Sequence, residues 1–367
     1  NFKATIIKEL NRLLTLQRKS LMTIRVSVNG LGRVGRNVIR QILDSKDLKL
    51  VHVNDINPSI ENLAYLLNFD TTYGRLHPPF EVVSGGLERL GSRIEVTSFE
   101  CPKDIPWNDY NIHVVVEAMG VNKIQTSIGT LVKARKIKKA IVTHSSSEVD
   151  KTIIFGVNEF DYKPGQHFYI SSSICDANAV APALSKINSE FGINSGSLLT
   201  LHPWLGYQNL VDGPCRSFAY PGHYEENFAL GRASTEALMP KSTSCMHAVR
   251  DVLPDIPDFM SMSYRVPTPV VSAAILNINV KQSVTKNEVI SFFYEVEKKQ
   301  VVPVFKLNSD QLISKDFVGS RNSCIIDTRW IEIGPNGSDV RLALWYDNEY
   351  GYSARVLDTV RLIGDGG

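Results

Sequence analysis

The amino-acid sequence predicts an α/β protein of two domains: a doubly wound parallel sheet, followed by an α+β domain with a mostly antiparallel sheet. The first prediction depends on a strand, a glycine-rich turn and a helix between residues 23 and 42, and on buried apolar runs that alternate with helical stretches up to residue 142. The second depends on alternating strands and one long helix between residues 259 and 346. A chain of 367 residues is long enough for two such cores.

The composition is that of an ordinary globular protein. Hydrophobic residues make up 43% and charged residues 21%, which excludes a disordered chain. No apolar run approaches the roughly 20 residues of a membrane helix, so we expect no membrane span. The formal charge of +2 hides an asymmetry, because five bases and one acid in residues 1–21 contribute +4 and the remainder carries −2. A mildly acidic body gives no case for nucleic-acid binding.

The first 21 residues repeat apolar side chains at helical spacing between basic residues. This pattern is typical of a short amphipathic helix and of mitochondrial targeting segments. Met22, however, is followed at once by a strand that opens a nucleotide-binding fold. We therefore interpret residues 1–22 as an upstream or artificial extension outside the core, in preference to a targeting or partner-binding helix. We expect activity to survive its deletion.

The first strand, at 23–28, leads into the turn NGLGRVG at 29–35 and then into a helix. In such a GxGxxG turn Gly30 makes the tight bend, Gly32 lets the backbone approach a pyrophosphate, and Gly35 lets the helix pack close to the strand. The pyrophosphate lies at the helix N-terminus, where free N–H groups and the helix dipole favour an anion. The pattern predicts a dinucleotide site.

The second strand, at 48–53, ends in Asn54-Asp55, about twenty residues past the glycines. An acid at that place holds the adenosine ribose diol and repels a 2′-phosphate, which favours NAD over NADP. The alternative is a glycine-rich turn beside a solvated aspartate. Apolar runs that fit further parallel strands follow at 114–116 and 140–142, and helical stretches that fit the connections between strands lie near 58–68 and 125–136.

Cys175 stands at the predicted N-terminus of a helix that runs through Lys186 and ends before Gly192. This position lowers the pKa of a thiol. The strand 198–201 ends in His202, and a thiol beside an imidazole gives a thiolate at neutral pH with a proton acceptor next to it. The sequence thus predicts a nucleophile and its base.

The five cysteines are odd in number and scattered, with no CxxC pair and no secretory signal. This usage indicates a reducing compartment, and we expect neither disulfides nor a metal site. Apart from Cys175, we expect the cysteines to be small buried hydrophobic residues: Cys101, Cys215, Cys245 and Cys324.

In the second half, apolar patterning predicts strands and a helix of an α+β domain. The strands are predicted near 259–266, 270–280, 323–328 and 339–346, and the helix at 287–298. The stretch 351–362 has helical spacing and is expected to pack back on the first domain.

Motifs in order from about residue 23 to 363 resemble those of the glyceraldehyde-3-phosphate dehydrogenase family. They are NGLGRVGR (29–36), VND (53–55), DTTYGR (70–75), CDAN (175–178) with Ala181-Pro182, His202 with Gln208 and VDGP (211–214), YRVPTP (264–269), and WYDNEYGYSARVLD (345–358). The resemblance implies a Rossmann-type NAD-binding domain at 23–174, a catalytic domain at 175–347 and a C-terminal helical segment at 348–367. It also implies NAD as the cofactor, a small-molecule aldehyde as the substrate, and a homotetramer or homodimer.

By this resemblance Cys175 is the nucleophile and His202 its base, Asn348 orients the nicotinamide carboxamide, and Tyr352 lies beside that ring. Thiolate attack on an aldehyde gives a thiohemiacetal, His202 takes its proton as hydride passes to NAD, and in the family inorganic phosphate cleaves the thioester. The other expected NAD contacts are Asn29, Gly30, Leu31, Gly32, Arg33, Val34, Asp55, Met119, Gly120 and Thr143.

The departures from the family concentrate on phosphate binding. The family has hydroxyl residues around its cysteine, and here those places hold Ile174, Asp176 and Ala177. Two threonines that grip the substrate phosphate are replaced by Leu205 and Tyr207. An arginine is replaced by Leu230, and in the loop 215–231 Arg216 or His223 could replace its charge. The expected substrate contacts are Ile174, Asp176, Leu205, Tyr207, Thr243, Ser244 and Arg265.

Asp176 has two interpretations. Its carboxylate would repel an incoming phosphate and raise the pKa of the neighbouring thiol. Alternatively, it caps the helix, where an acid is stabilising.

Our functional hypothesis is NAD-dependent oxidation of an aldehyde that is larger or less charged than glyceraldehyde 3-phosphate, with water or another nucleophile resolving the thioester. The alternatives are an ordinary phosphorylating glyceraldehyde-3-phosphate dehydrogenase and a non-catalytic NAD-binding sensor or partner subunit. We expect a cytoplasmic location, with no nucleic-acid or membrane partner.

Overall fold

A computed structural model describes residues 23–120, 122–217, 220 and 222–364. Residues 1–22, for which we predict an extension, lie outside the described residues. None of the helices in these ranges combines the length and the apolar character that a membrane span requires.

Strands up to residue 171 form a nine-stranded sheet and a small separate hairpin. The strands of the sheet are β1 (Ile24–Asn29), β2 (Leu48–Asn54), β5 (Glu81–Val83), β6 (Gly86–Arg89), β7 (Ser92–Thr97), β8 (Val114–Glu117), β9 (Ala140–Val142), β10 (Lys151–Thr152) and β11 (Tyr169–Ser171); the hairpin pairs β3 (Phe69–Asp70) with β4 (Gly74–Arg75). Their order is β10-β11-β9-β8-β1-β2-β7-β6-β5. The strands from β10 to β7 are parallel, and β6 and β5 add antiparallel pairs at one edge.

Helices cover both faces of this sheet. The helices of the described chain, including those of the second half, are α1 (Arg33–Leu43), α2 (Ile60–Asn68), α3 (Asn122–Lys133), α4 (Cys175–Phe191), α5 (Cys245–Arg250), α6 (Lys286–Lys299) and α7 (Tyr350–Gly364). Short 3-10 helices lie at Pro102–Asp104, Trp107–Tyr110, Glu159–Asp161, Phe228–Gly231, Ser314–Phe317 and Thr328–Trp330. Successive side chains of a strand face opposite sides, so Val114 and Val116 join one hydrophobic core with α1, whereas Val115 joins another with α3. Covering both faces is why these strands are apolar throughout.

The second sheet is mostly antiparallel. Its strands are β12 (Ile193–Pro203), β13 (Met239–Lys241), β14 (Met260–Val266), β15 (Ser272–Val280), β16 (Phe305–Asn308), β17 (Cys324–Asp327), β18 (Glu332–Ile333) and β19 (Asp339–Tyr346). The order is β13-β14-β12-β15-β19-β17-β16, with β18 beside β19. Only the pairs β12–β14 and β16–β17 are parallel within the described sheet. The predicted fold class is therefore confirmed.

Three connections position the candidate site. Helix α4 begins at Cys175, directly after β11 and a short loop, and ends at Phe191. Gly192 follows, and its positive φ of 67° lets the chain turn into β12. Strand β12 carries His202 near its end and pairs it with Arg265 of the parallel strand β14. Helix α7 then packs against α1 of the first sheet.

Candidate active site

The structure brings the predicted nucleophile and base together. The Sγ atom of Cys175 lies 3.6 Å from Nε2 of His202, and the imidazole is buried while the cysteine is half-buried. The other ring nitrogen, Nδ1, lies 2.8 Å from the carbonyl oxygen of Pro203. A carbonyl oxygen only accepts hydrogen bonds, so this contact assigns the ring proton to Nδ1 and leaves Nε2 with a lone pair toward the thiol.

Asp176 also faces the thiol. Its Oδ1 atom accepts hydrogen bonds from Cys175 Sγ at 3.4 Å and from the hydroxyl of the buried Tyr346 at 2.9 Å, and it lies 3.8 Å from His202 Nε2. The residue that precedes α4 is Ile174, and the helix has no side-chain cap. Of the two interpretations, these contacts favour a carboxylate within the site over a helix cap.

The predicted thiolate is wrong for this arrangement. Burial first, and then the charge of Asp176 and its hydrogen bond, raise the pKa of Cys175 well above its usual value, against the opposing effect of Arg265. Burial lowers the pKa of His202 to about 4, more than Asp176 raises it. Both shifts favour a thiol and a neutral imidazole at neutral pH.

Two positive side chains lie close to this pair. Arg265 is buried, and its Nε atom has no hydrogen-bond partner in the part of the chain that the structure describes. Lys241 ends β13, next to the strand that carries Arg265. Burial and the charge of Arg265 lower the pKa of Lys241, whereas Asp176 and Cys175 raise it. The charges of Asp176 and Arg265 therefore act on both the lysine and the thiol.

Sequence reasoning missed Lys241 and Tyr346. Each stands close to residues that the resemblance had indicated: Lys241 lies two residues before the expected substrate contact Thr243, and Tyr346 lies within WYDNEYGYSARVLD. Arg216 and His223, by contrast, are both exposed on the loop 215–231, where Arg216 forms a β-bridge with Tyr224. The positive charges close to the thiol come from Arg265 and Lys241.

The other predicted substrate residues are held by their own loops or by the core. Ile174 packs at the edge of the main hydrophobic core, and Leu205 N–H donates to Oε1 of Gln208 at 3.0 Å. Thr243 Oγ1 accepts from the N–H of Cys245 at 3.1 Å, while Ser244 is exposed. Tyr207 is half-buried, with its carbonyl oxygen 3.8 Å from Sγ of Cys215, and Leu230 is buried.

The glycine turn fits a pyrophosphate. Gly30 has a φ of 95°, and a Cβ there would lie 2.8 Å from the nitrogen of Met119. A Cβ on Gly35 would lie 1.9 Å from the carbonyl oxygen of Gly30, so the close contact of helix and turn requires glycine. A Cβ on Gly32 would meet nothing within 4 Å, and this residue directly precedes α1. An open space at a helix N-terminus suits an anion.

Asp55 is attached to this turn. Its Oδ2 accepts from the N–H of Leu31 at 2.7 Å, and its Oδ1 accepts from the N–H of Asn57 at 2.9 Å. The residue is half-buried, and a carboxylate oxygen has more than one lone pair, so it can also accept from a ribose diol.

Several predicted NAD contacts are organised by the buried Glu117, which sequence reasoning missed. Its carboxylate accepts from Asn29 Nδ2 at 2.6 Å and from the N–H of Met119 at 2.9 Å, and its carbonyl oxygen accepts from the N–H of Thr143 at 3.1 Å. Burial raises the pKa of Glu117 to about 7. Gly120 follows with a φ of 70°. Through its carboxylate and its carbonyl oxygen, Glu117 thus joins the ends of β1, β8 and β9.

Arg33 has another role than direct binding by its side chain. Its guanidinium donates to Glu349 at the start of α7 and to Asp70, so contact with a cofactor is left to its backbone. The side chain of Val34 likewise packs against the core. Arg33 therefore joins the glycine turn to the C-terminal segment.

That segment carries the two predicted nicotinamide contacts. Asn348 is buried, and its Oδ1 accepts from the N–H of Val271 at 3.0 Å. Tyr352 is buried and donates to the carbonyl oxygen of Ser173, two residues before the thiol, at 2.9 Å. The charge of Cys175 contributes to raising the pKa of Tyr352. Tyr352 thus contacts the loop that precedes Cys175, and Asn348 contacts the residue that precedes β15.

A dinucleotide-binding turn beside a cysteine–histidine pair defines an NAD-dependent dehydrogenase. Comparison with known families agrees: "Glyceraldehyde 3-phosphate dehydrogenase, NAD binding domain" matches residues 24–125, and the C-terminal domain of the same enzyme matches 174–348. Glyceraldehyde-3-phosphate dehydrogenase 2 of Streptomyces avermitilis is 34% identical over 346 residues, covering 94% of this chain and 99% of the relative.

Two further relatives are similar to the same extent. Glyceraldehyde-3-phosphate dehydrogenase 1 of Bacillus subtilis is 33% identical, over 94% of this chain and 100% of the relative. The testis-specific enzyme of Rattus norvegicus is 33% identical, over 94% and 77%. The chain belongs to the glyceraldehyde-3-phosphate dehydrogenase family. It is an NAD-dependent oxidoreductase that acts on an aldehyde, as the sequence predicted.

Proposed function

We propose that this protein oxidises its aldehyde through a covalent thioester on Cys175, with His202 as the proton acceptor. The observation that carries the proposal is the 3.6 Å contact between Sγ and the Nε2 atom, whose lone pair is set by the bond from Nδ1 to Pro203. Residues 23–174 hold the cofactor, residues 175–347 supply the chemistry, and residues 348–367 return to the cofactor domain.

The reaction starts from the neutral pair. Nε2 of His202 takes the thiol proton, Sγ of Cys175 attacks the carbonyl carbon, and the proton passes to the carbonyl oxygen to give a thiohemiacetal. Bound at the glycine turn and Asp55, NAD would supply the hydride acceptor for that carbon. His202 removes the hydroxyl proton in the same step, which leaves a thioester on Cys175. An acyl acceptor then cleaves the thioester and frees the thiol of Cys175: water gives the acid, and phosphate gives the acyl phosphate.

For the substrate, we favour an aldehyde that is less charged than glyceraldehyde 3-phosphate. A carboxylate 3.4 Å from Sγ opposes a phosphate that approaches the thioester, by on the order of a few kcal/mol for charges about 4 Å apart. Leu205 and Tyr207 stand where the family has phosphate-binding threonines. Water is then the preferred acyl acceptor.

The second candidate is the ordinary phosphorylating reaction on glyceraldehyde 3-phosphate. Two observations favour it: Arg265 and Lys241 supply positive charge to the same site, and the relatives carry that enzyme's name. In this candidate the two cations offset Asp176 when an anion binds.

An aldehyde panel with and without inorganic phosphate separates the candidates. The panel contains glyceraldehyde 3-phosphate and uncharged aliphatic and aromatic aldehydes, and steady-state NADH formation is the readout. We expect the highest kcat/KM with an uncharged aldehyde and no requirement for phosphate. A strict requirement for both glyceraldehyde 3-phosphate and inorganic phosphate supports the second candidate. No NADH with any aldehyde contradicts both and favours a non-catalytic NAD-binding role.

We also propose that the protein is a homotetramer or homodimer in the cytoplasm. The support for assembly is a group of exposed apolar side chains around the loop that follows β12: Leu210, Val211, Phe228 and Leu238. The support for a reducing compartment is that all five cysteines are free. Sedimentation equilibrium tests the assembly, and a monomer at micromolar concentration contradicts it.

A further inference from the structure

Three metal-binding atoms of different chemical type lie together beside the thiol. Cys175 Sγ is 3.4 Å from Asp176 Oδ1 and 3.6 Å from His202 Nε2, and the oxygen and nitrogen are 3.8 Å apart. The aspartate and the histidine are both buried. Residues 175, 176 and 202 do not follow a zinc-motif spacing, which is why the sequence alone predicted no metal.

These separations suit tetrahedral zinc. Zn²⁺ lies about 2.3 Å from a thiolate sulfur and about 2.0–2.2 Å from an imidazole nitrogen or a carboxylate oxygen. In a tetrahedron such bonds place neighbouring ligand atoms about 3.3–3.6 Å apart. The three atoms need to move only a few tenths of an ångström to match. A sulfur ligand also selects against Mg²⁺ and Ca²⁺, which prefer oxygen.

The supporting contacts are those of a metal site. Nδ1 of His202 donates to the carbonyl oxygen of Pro203, which fixes the ring and directs the Nε2 lone pair inward. The hydroxyl of Tyr346 donates to Asp176 and holds the carboxylate in place. The ligands belong to α4 and β12, two regular elements, so their positions are set before a metal arrives.

The charge balance fits a divalent ion. A thiolate and a carboxylate together neutralise Zn²⁺, and the imidazole binds as the neutral ring. Arg265 and Lys241 act on the same groups and oppose a cation, so we expect weaker binding than at a structural zinc site. Three protein ligands leave a fourth position for water.

We propose that Cys175, Asp176 and His202 form a zinc site that reversibly inhibits the enzyme. When zinc binds, the thiol gives its proton to water and an Sγ–Zn bond forms, while Nε2 donates its lone pair to the metal. Neither group then remains for the aldehyde. This inference goes beyond the proposed dehydrogenase function and stands apart from it, because zinc binding requires neither NAD nor an aldehyde.

The test uses the full chain freed of metal by a chelator, without NAD or aldehyde. Zinc chloride is titrated in competition with a chromophoric chelator, and Co²⁺ is added separately to detect the near-ultraviolet absorption of a thiolate–cobalt bond. We expect one zinc ion per chain and a thiolate–cobalt band in the parent protein. Cys175→Ser removes the band, Asp176→Thr weakens zinc binding about 100-fold, and Tyr346→Phe weakens it about tenfold.

Asp255→Asn, which changes an exposed acid, is the matched control and leaves zinc binding unchanged. Zinc binding that is equal in the parent, Cys175→Ser and Asp176→Thr proteins overturns the proposal, as does the absence of binding at micromolar zinc. If a variant fails to fold, the parent protein still decides. In the parent protein, we expect bound zinc to slow the alkylation of Cys175 by iodoacetamide and a chelator to restore the rate. Unchanged alkylation at saturating zinc contradicts the site but leaves the dehydrogenase proposal untouched.

Discussion

Among the neighbouring side chains, Asp176 has the largest effect on the pKa of Cys175. The carboxylate contacts the thiol directly, and together with burial it raises the pKa of the thiol well above its usual value. Tyr346 holds the carboxylate there by a hydrogen bond from a buried hydroxyl. An enzyme of this class needs a reactive sulfur at neutral pH. We propose that in this chain the reactivity of Cys175 depends on proton transfer to His202 rather than on a thiolate that is already formed.

The first prediction concerns this pKa. Replacing Asp176 with threonine removes a negative charge beside the sulfur, so the thiolate becomes easier to form and the pKa of the thiol falls. The rate of Cys175 alkylation by iodoacetamide rises with pH as the thiolate forms. We expect the rising part of that profile to move to lower pH in Asp176→Thr. His202, with a pKa of about 4, adds no second transition near neutral pH.

Asp255→Asn serves as the control for this profile, because it removes an exposed acid on the surface. Its profile stays with that of the parent. An Asp176→Thr profile that does not move, or that moves to higher pH, contradicts the role assigned to the carboxylate.

At the scale of elements, the glycine turn has to pack closely against its helix at one glycine and leave space for a ligand at another. Gly35 is needed for close packing, since a Cβ would lie 1.9 Å from the carbonyl oxygen of Gly30, whereas a Cβ on Gly32 would meet no protein atom within 4 Å. We therefore expect Gly35→Ala to destabilise the fold by about 3 kcal/mol, as overpacking does. We expect Gly32→Ala to keep the parent Tm but to weaken NAD binding about tenfold, because the methyl group enters the space for the pyrophosphate.

Thermal melting and fluorescence titration with NAD check this matched pair. An equal loss of Tm in both variants, or an unchanged NAD affinity in Gly32→Ala, contradicts these roles of the two glycines.

The elements themselves were largely predictable from the sequence, and the reason is physical. Strands such as 114–117 and 140–142 are buried on both faces, so their apolar runs stand out, and the glycines mark a turn that few other residues can form. The electrostatics of the site were harder to predict. Lys241 and Tyr346 are far from Cys175 in the sequence, and the net effect of burial and Asp176 on the thiol depends on distances that no local pattern contains.

At the scale of the whole molecule, α7 returns to the first sheet and joins the glycine turn to the catalytic half. Arg33, which directly follows Gly32, donates to Glu349 at the start of α7 and to Asp70 after α2. The hydroxyl of Tyr73 donates to the buried Asp347 at 2.9 Å. Asn348 lies between Asp347 and Glu349 in the sequence. The contacts of these two acids therefore hold the backbone of Asn348, a predicted nicotinamide contact, in place.

Removing the Arg33 side chain tests this connection. Arg33→Ala leaves two largely buried carboxylates without their shared cation, and we expect a loss of about 1–3 kcal/mol in the free energy of unfolding. We also expect weaker NAD binding, since the turn loses its contact with α7. Urea unfolding and NAD titration are the measurements. Arg93→Ala, which breaks an exposed ion pair with Glu95, is the control and changes neither quantity measurably; an equal effect in both variants contradicts the role of Arg33.

The central claim is that Cys175 forms a covalent intermediate as NAD is reduced. Rapid mixing of the enzyme and NAD with a substrate aldehyde, read by NADH absorbance in the first turnover, tests it most directly. We predict a burst of one NADH per chain in the parent protein and in Cys101→Ser, which removes a half-buried thiol away from the site. Cys175→Ser is predicted to show no burst. A full burst in Cys175→Ser contradicts the account.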